Sequence, residues 1–269
     1  MIEKYLNTDK SFIDDFNLIT EIGCELSNMF DGLVTDEIRK QKATHYLAKA
    51  INTNFSILRL LDIDFNKSFS FVDSSSIYSL LRNQLEICNI YWYLLCENYE
   101  GEYFKLKLDL LEYHDSIACQ IIYNPLLPTE ENKHYFKEKE KQYCLNIESN
   151  TKFLELNNDV KKQIIKGNKS TLLTQFEIVE RRKFNLEVFK AYYKLFSTHT
   201  HSSPTSIKNI VTNKISEDSD FIEFIFLDMS LGYINSFISN LILSVGEIWS
   251  IDFRNLESEK MLKFYANQL

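Results

Sequence analysis

Only six glycines and three prolines punctuate 269 residues, and that scarcity limits the possible folds more than any other feature of the chain. A sheet-rich fold turns roughly every 8–12 residues and builds its turns from Gly, Pro, Asn and Asp. Asn and Asp are plentiful here, but most stand inside helical patterns rather than in Asn-Gly or Asp-Gly pairs. Apolar residues recur at threes and fours almost throughout, and at 45% hydrophobic the chain can fill a sizeable core. The expectation is an all-α fold, a multi-helix bundle over residues 1–269 with a charged helical hairpin inserted at 129–167.

Ser11 opens the first helix, with Asp14 three residues on as in a capping box. Phe12, Phe16, Ile19, Ile22, Leu26, Met29 and Phe30 then recur on one side, and Gly32 follows the end. Thr35 caps a second helix that runs towards Leu61. Residues 66–73 read as a loop, and the serines at 74–76 offer caps for the third helix. Gly101 marks a break, after which a helix runs from Glu102 to about Tyr123. Asn124-Pro125-Leu126-Leu127-Pro128 is expected to end it, because proline lacks a donor and disfavours helix in the residue before it. This corner is the best candidate for a subdomain boundary. Thr129 to Lys141 mixes charges of both signs and predicts an exposed helix, followed by a helix from Asn158 to Lys166 that stops at Gly167. A functional lid and a plain solvated pair both remain open for 129–167. Further helices are expected over 171–183, 186–201 and 221–251, and from Leu256.

The net charge of −8 and pI near 5.3 argue against a protein that coats nucleic acid through a broad basic surface. A local basic groove is compatible with it. The cysteines, at 24, 88, 96, 119 and 144, are odd in number, widely spaced and set in apolar helical stretches. They read as free thiols of a reducing cytosol. The N-terminal residues lack the apolar core of a signal peptide, so a cytoplasmic location is expected. Met229 to Gly246 carries no charge, yet it holds Asn235, Asn240 and several serines between Asp228 and Glu247. A buried core helix is favoured over a membrane span.

Six of the thirty basic residues are arginines, and Arg82 lies in the greasy run from Ile77 to Tyr93. Glu86 follows one turn later, close enough to pair with it. Ser79, Arg82, Asn83, Glu86, Asn89 and Tyr93 fall in one arc of the helical wheel. Three readings stay open: a stripe facing water, a structural buried pair, or a polar pocket in which Glu86 neutralises and aims Arg82.

On the helix from Leu186 to His201, the residues Lys190, Tyr193, Lys194, Ser197 and His201 share a face, and His199 points roughly the other way. His201 can cap the helix end or serve a site. His199 and His201 have no Asp or Glu in the flanking turn, so no metal is expected, and no cofactor either. Histidine can shuttle a proton near neutral pH and arginine can stabilise charge on a phosphate. These parts suffice for metal-free RNA cleavage. His201 would take the 2′-hydroxyl proton, Arg82 and Lys194 would stabilise the phosphate, and Glu86 would fix Arg82 or act as second acid/base. Asn83, Ser197 and His199 complete the substrate-binding candidates. The chain has no Walker loop, dinucleotide fingerprint, Gly-x-Ser-x-Gly elbow or His-Glu-x-x-His motif.

The pairing of Leu80-Leu81-Arg82-Asn83-Gln84-Leu85-Glu86 with Phe196-Ser197-Thr198-His199-Thr200-His201-Ser202 resembles a widespread all-helical bacterial family that carries a domain of unknown function. Its members have Arg-x-x-x-Glu on an early helix and Ser-x-x-x-His-x-Ser on a later one. The chain is also loosely similar to HEPN helical domains, which include RNases of toxin–antitoxin and phage-defence systems. Where their motif has arginine ahead of histidine, this sequence has Lys194, which lacks the bidentate fork. The resemblance implies a defence- or toxin-type RNase acting on RNA. The alternative is a non-catalytic module that binds a partner protein or a small anionic ligand through the same residues. A third reading, a purely structural protein that forms a dimer or other homo-oligomer, would place Tyr91, Trp92 and Tyr93 on an exposed apolar patch.

Overall fold

The computed structural model describes residues 11–61, 73–200, 204, 217–251, 253 and 256–269. Among the described residues there are eleven α-helices and no strand. They are α1 (Phe12–Asn28), α2 (Ile38–Leu61), α3 (Ser74–Leu95), α4 (Gly101–Leu126), α5 (Glu130–Ser149), α6 (Thr151–Leu154), α7 (Asn158–Ile165), α8 (Gln175–Arg181), α9 (Leu186–Thr200), α10 (Glu217–Ile248) and α11 (Leu256–Ala266). The protein is all-α, a multi-helix bundle. The chain divides into two compact units, Met1–Trp92 with Ile178–Leu269, and Tyr93–Glu177. Both the Asn124–Pro128 corner and residues 129–167 lie inside the second unit.

In the first unit α10 packs on α1, α2 and α11. Its residues Leu227, Leu231, Ile234, Phe237, Ile238, Leu241, Ile242 and Val245 are all buried. A helix apolar around its whole circumference belongs at the centre of a core. Ile225–Ile248 is long and apolar enough to cross a membrane, and 78% of an apolar eighteen-residue window within it is packed inside the protein. Gly232 brings α10 against α1, since a Cβ there would meet the Phe12 ring at 2.8 Å.

The start of α1 is capped twice. Ser11 Oγ accepts from the Ile13 N–H at 3.1 Å. Asp228, fully buried on α10, accepts from the same N–H at 3.0 Å and from the Ser11 hydroxyl at 2.7 Å. A carboxylate at this end suits the positive pole of the helix. For α3 the cap is Asp73 rather than the serines: its carboxylate accepts from the Ser76 N–H at 3.1 Å and the Ser76 hydroxyl at 2.5 Å.

The second unit is built on α4 and α5, with α6 against both. Leu106, Leu110, Tyr113, Ile147, Phe153 and Ile164 form its core. Of the twenty residues of α5 only Ile147 is buried, as the mixed charge of that stretch requires. Pro125 does not end α4 but sits inside it. In the last turn its missing donor costs a single bond, and the Leu127 N–H still reaches the Tyr123 carbonyl at 2.8 Å. The helix expected over 171–183 shrinks to α8. Its start is a capping box: Glu177 accepts from the Thr174 N–H at 2.7 Å, and Thr174 Oγ accepts from the Glu177 N–H at 3.3 Å.

Candidate functional site

Ile77, Tyr78, Leu81, Leu85, Cys88 and Tyr91 are buried along one side of α3. Arg82 and Glu86 are left half-buried on the remaining arc. Their helical spacing brings the Arg82 guanidinium to 3.2 Å from Glu86 Oε1, and Nε donates to the same oxygen at 3.3 Å. A third member comes from α9. The Tyr193 hydroxyl donates to Glu86 Oε1 at 2.8 Å and accepts from Arg82 at 3.1 Å. The guanidinium also lies 5.0 Å from the centre of the Tyr193 ring. Arginine, carboxylate and phenol thus close a triangle in which each touches the other two.

The electrostatics follow from that triangle. Burial pulls the Arg82 pKa down, but the hydrogen bond with Tyr193 and the Glu86 carboxylate outweigh it and leave the group above the ordinary arginine value. Burial, then the bond to Glu86 and its charge, raise the Tyr193 phenol against the opposing pull of Arg82. At neutral pH Arg82 is a cation and Tyr193 an un-ionised phenol. The side chains of Arg82 and Glu86 keep 23% and 38% of their surface in water.

His199 does not join the triangle. It is 7% exposed, its Nδ1 is 3.2 Å from the Ser75 hydroxyl, and its ring packs 4.6 Å from Tyr78. Ser75 and Arg82 are separated by seven residues of α3, a rise of about 10 Å. His199 thus packs beside Ser75 and Tyr78, about two turns of α3 from Arg82. Ser197 donates to the Tyr193 carbonyl of its own helix at 2.6 Å. Lys194 is exposed and Asn83 half-buried. His201 and Ser202 lie outside the described residues. Among the described residues no group of three or more His, Cys, Asp or Glu could hold a metal ion.

Burial holds His199 below the usual histidine pKa, which sets a pH dependence. Once the pH falls below the ordinary value near 6.5, the unfolded chain binds a proton that the folded protein refuses. The stability contributed by this residue is complete above that value and declines as the pH falls towards the depressed folded pKa. Urea midpoints measured at about pH 7.5 and about pH 5.5 are expected to fall less in His199→Gln than in the wild type. An equal fall in both would contradict the assignment.

Two features escape the sequence pattern. Tyr193 was legible only as a neighbour of Lys194 and Ser197, because nothing in spacing says which aromatic hydroxyl meets an ion pair. Asn89, assigned to the polar arc, is fully buried and accepts from Arg182 at 2.8 Å. Arg182 is stacked 4.1 Å from the Phe184 ring. Tyr91 and Tyr93 are also buried, so no exposed apolar patch forms around them. Compared with known proteins, the chain matches no protein family, no curated protein and no solved structure.

Proposed function

We propose that the Arg82–Glu86–Tyr193 cluster recognises a phosphate group carrying a neighbouring hydroxyl, as on a ribonucleotide. The supporting observation is the triangle itself: a cation and a carboxylate fixed side by side, both partly in water. The guanidinium suits phosphate oxygens through its planar fork. Glu86 would repel a bare anion, but it accepts a hydrogen bond from a hydroxyl beside the phosphate. Tyr193 holds both groups in place and so reduces the ordering cost of binding. With the chain at −8, recognition is local and not a broad electrostatic coating. The resemblance to HEPN domains extends this reading to a cytoplasmic bacterial defence or toxin protein.

The test is titration with a short single-stranded RNA and with DNA of the same sequence. Wild-type protein is expected to prefer RNA by about tenfold, the value of one discriminating hydrogen bond. Glu86→Gln is expected to erase that preference. DNA bound as tightly as RNA would contradict the assignment.

A metal-independent RNase is the second reading, favoured by one observation. Tyr193, Ser197 and His201 recur every four residues, and Tyr193 contacts Arg82. In this reading His201 takes the 2′-hydroxyl proton, Arg82 stabilises the phosphate and Glu86 serves as second acid/base. Cleavage of cellular RNA in EDTA by the wild type, lost in His201→Ala, would support it. Binding without cleavage would restrict the protein to recognition.

A further inference from the structure

Asp109 is a buried carboxylate of the second unit that the Arg82 reading does not use. It stands on α4 between the core residues Leu106 and Leu110, and only 7% of its surface reaches water. Its polar contacts are few for that depth. Asn146 of α5 donates to Oδ1 over a long 3.4 Å, and Oδ2 is buried with no hydrogen-bond partner among the described residues. Buried polar atoms are ordinarily satisfied, and a buried charge costs more than a neutral group when they are not. Asn146 is itself held from its own helix, since Gln142 donates to its Oδ1 at 3.0 Å. That bond leaves the Asn146 amide nitrogen as the end that meets Asp109. A relay of three side chains therefore crosses from α5 to α4 and ends on an oxygen without a partner.

The surrounding charges do not compensate. Burial raises the Asp109 pKa above the ordinary carboxylate value, the Asn146 bond and Lys105 oppose the rise, and Glu112 and Glu102 add to it. All three of those charged residues stand on α4 with Asp109. From α5 the facing group is the neutral Asn146. The short helix α6, which packs on both, carries one charged side chain, Lys152, and Glu155 engages it at 2.8 Å. A proton on Asp109 removes the buried charge and the repulsion from both glutamates together.

We propose that Asp109 is a proton-operated brace between α4 and α5, which loosens their contact when ionised and tightens it when protonated. The stability that this carboxyl contributes is complete below its ordinary value of 3.8 and is lost as the pH rises through the higher folded value. Through this one group the α4–α5 contact opens more readily at neutral pH than in acid.

Amide hydrogen exchange of the full chain, read on α4 and α5 and corrected for the intrinsic pH dependence, tests this. Asp109→Asn keeps an oxygen for Asn146 and puts an uncharged amide in place of Oδ2. At about pH 7 this variant is expected to protect the amides of α4 and α5 at least about twofold more than the wild type, and at about pH 4 the two should converge. Glu131→Gln, which removes an exposed carboxylate of α5, should follow the wild type at both values. The carboxyl carbon resonance of Asp109 reads the titration without any variant, and its midpoint is expected above 3.8. A midpoint at or below that value would overturn the proposal. So would equal or weaker protection in Asp109→Asn at about pH 7, or a gap that persists unchanged at about pH 4.

Discussion

Replacing Phe237 with alanine is expected to destabilise the protein by about 3–5 kcal/mol, the range for deleting a fully buried aromatic side chain. Phe237 is fully buried on α10. Its ring meets Phe184 edge-on at 5.5 Å and Tyr233 edge-on at 5.2 Å, and Phe189 lies 6.2 Å away. The Arg182 guanidinium sits 5.1 Å from the same ring. Contacts converge on it from the segment that ends α8, from α9 and from its own helix, so the neighbours cannot collapse into the vacated space together. The lost transfer energy and the residual cavity therefore both contribute. The urea midpoint should drop with little change in slope. A loss under about 1 kcal/mol, the level of a surface substitution, would place Phe237 outside the core.

Asn54→Ala is expected to cost about 2–4 kcal/mol, for a different reason: it strands polar partners in the same core. Gln84 on α3 donates to the Ala50 carbonyl at 3.0 Å and to Asn54 Oδ1 at 2.6 Å. Asn54 on α2 in turn donates to Thr20 Oγ on α1 at 3.0 Å, and Thr20 donates to the Phe16 carbonyl at 2.7 Å. All three side chains are fully buried. One chain of amides and a hydroxyl thus ties α1, α2 and α3 together. Alanine at 54 leaves a Gln84 donor and the Thr20 oxygen short of a partner, and opens a cavity beside them. The same link makes the effects of Asn54→Ala and Gln84→Leu non-additive, with the double variant less damaged than the sum of the two. Strict additivity in chemical denaturation would mean that the two side chains do not interact.

These two residues explain which parts of the fold can be read from the sequence. Helix positions are legible because apolar periodicity and polar caps are local chemistry, as at Ser11. The identity of a cap is less so. Asp228 closes α1 from across the bundle, and Asp73 pre-empts three serines. Proline at 125 shows the limit of a local rule, since a terminal turn absorbs what a helix interior would not. Burial of polar residues is the least legible. Gln84 and Asn89 share α3 with Arg82, and a helical wheel ranks all of them as polar. Only packing reveals that Gln84 donates to Asn54 and Asn89 accepts from Arg182 inside the core, while Arg82 stays at its edge. The Arg82–Glu86 pair follows from i,i+4 spacing alone. Its third member, Tyr193, depends on how α9 lies on α3, and so does the withdrawal of His199 to Ser75 and Tyr78.

The central claim is that the Arg82 cluster binds the phosphate of a ribonucleotide, and calorimetric titration with adenosine 3′-monophosphate in EDTA tests it most directly. Arg82→Lys keeps the charge but loses the planar fork that meets phosphate, Glu86 and Tyr193 at once. Saturable binding by the wild type, weakened by about tenfold or more in Arg82→Lys while the circular dichroism melt stays intact, is the predicted result. No binding by the wild type, or equal binding by both proteins, would contradict it.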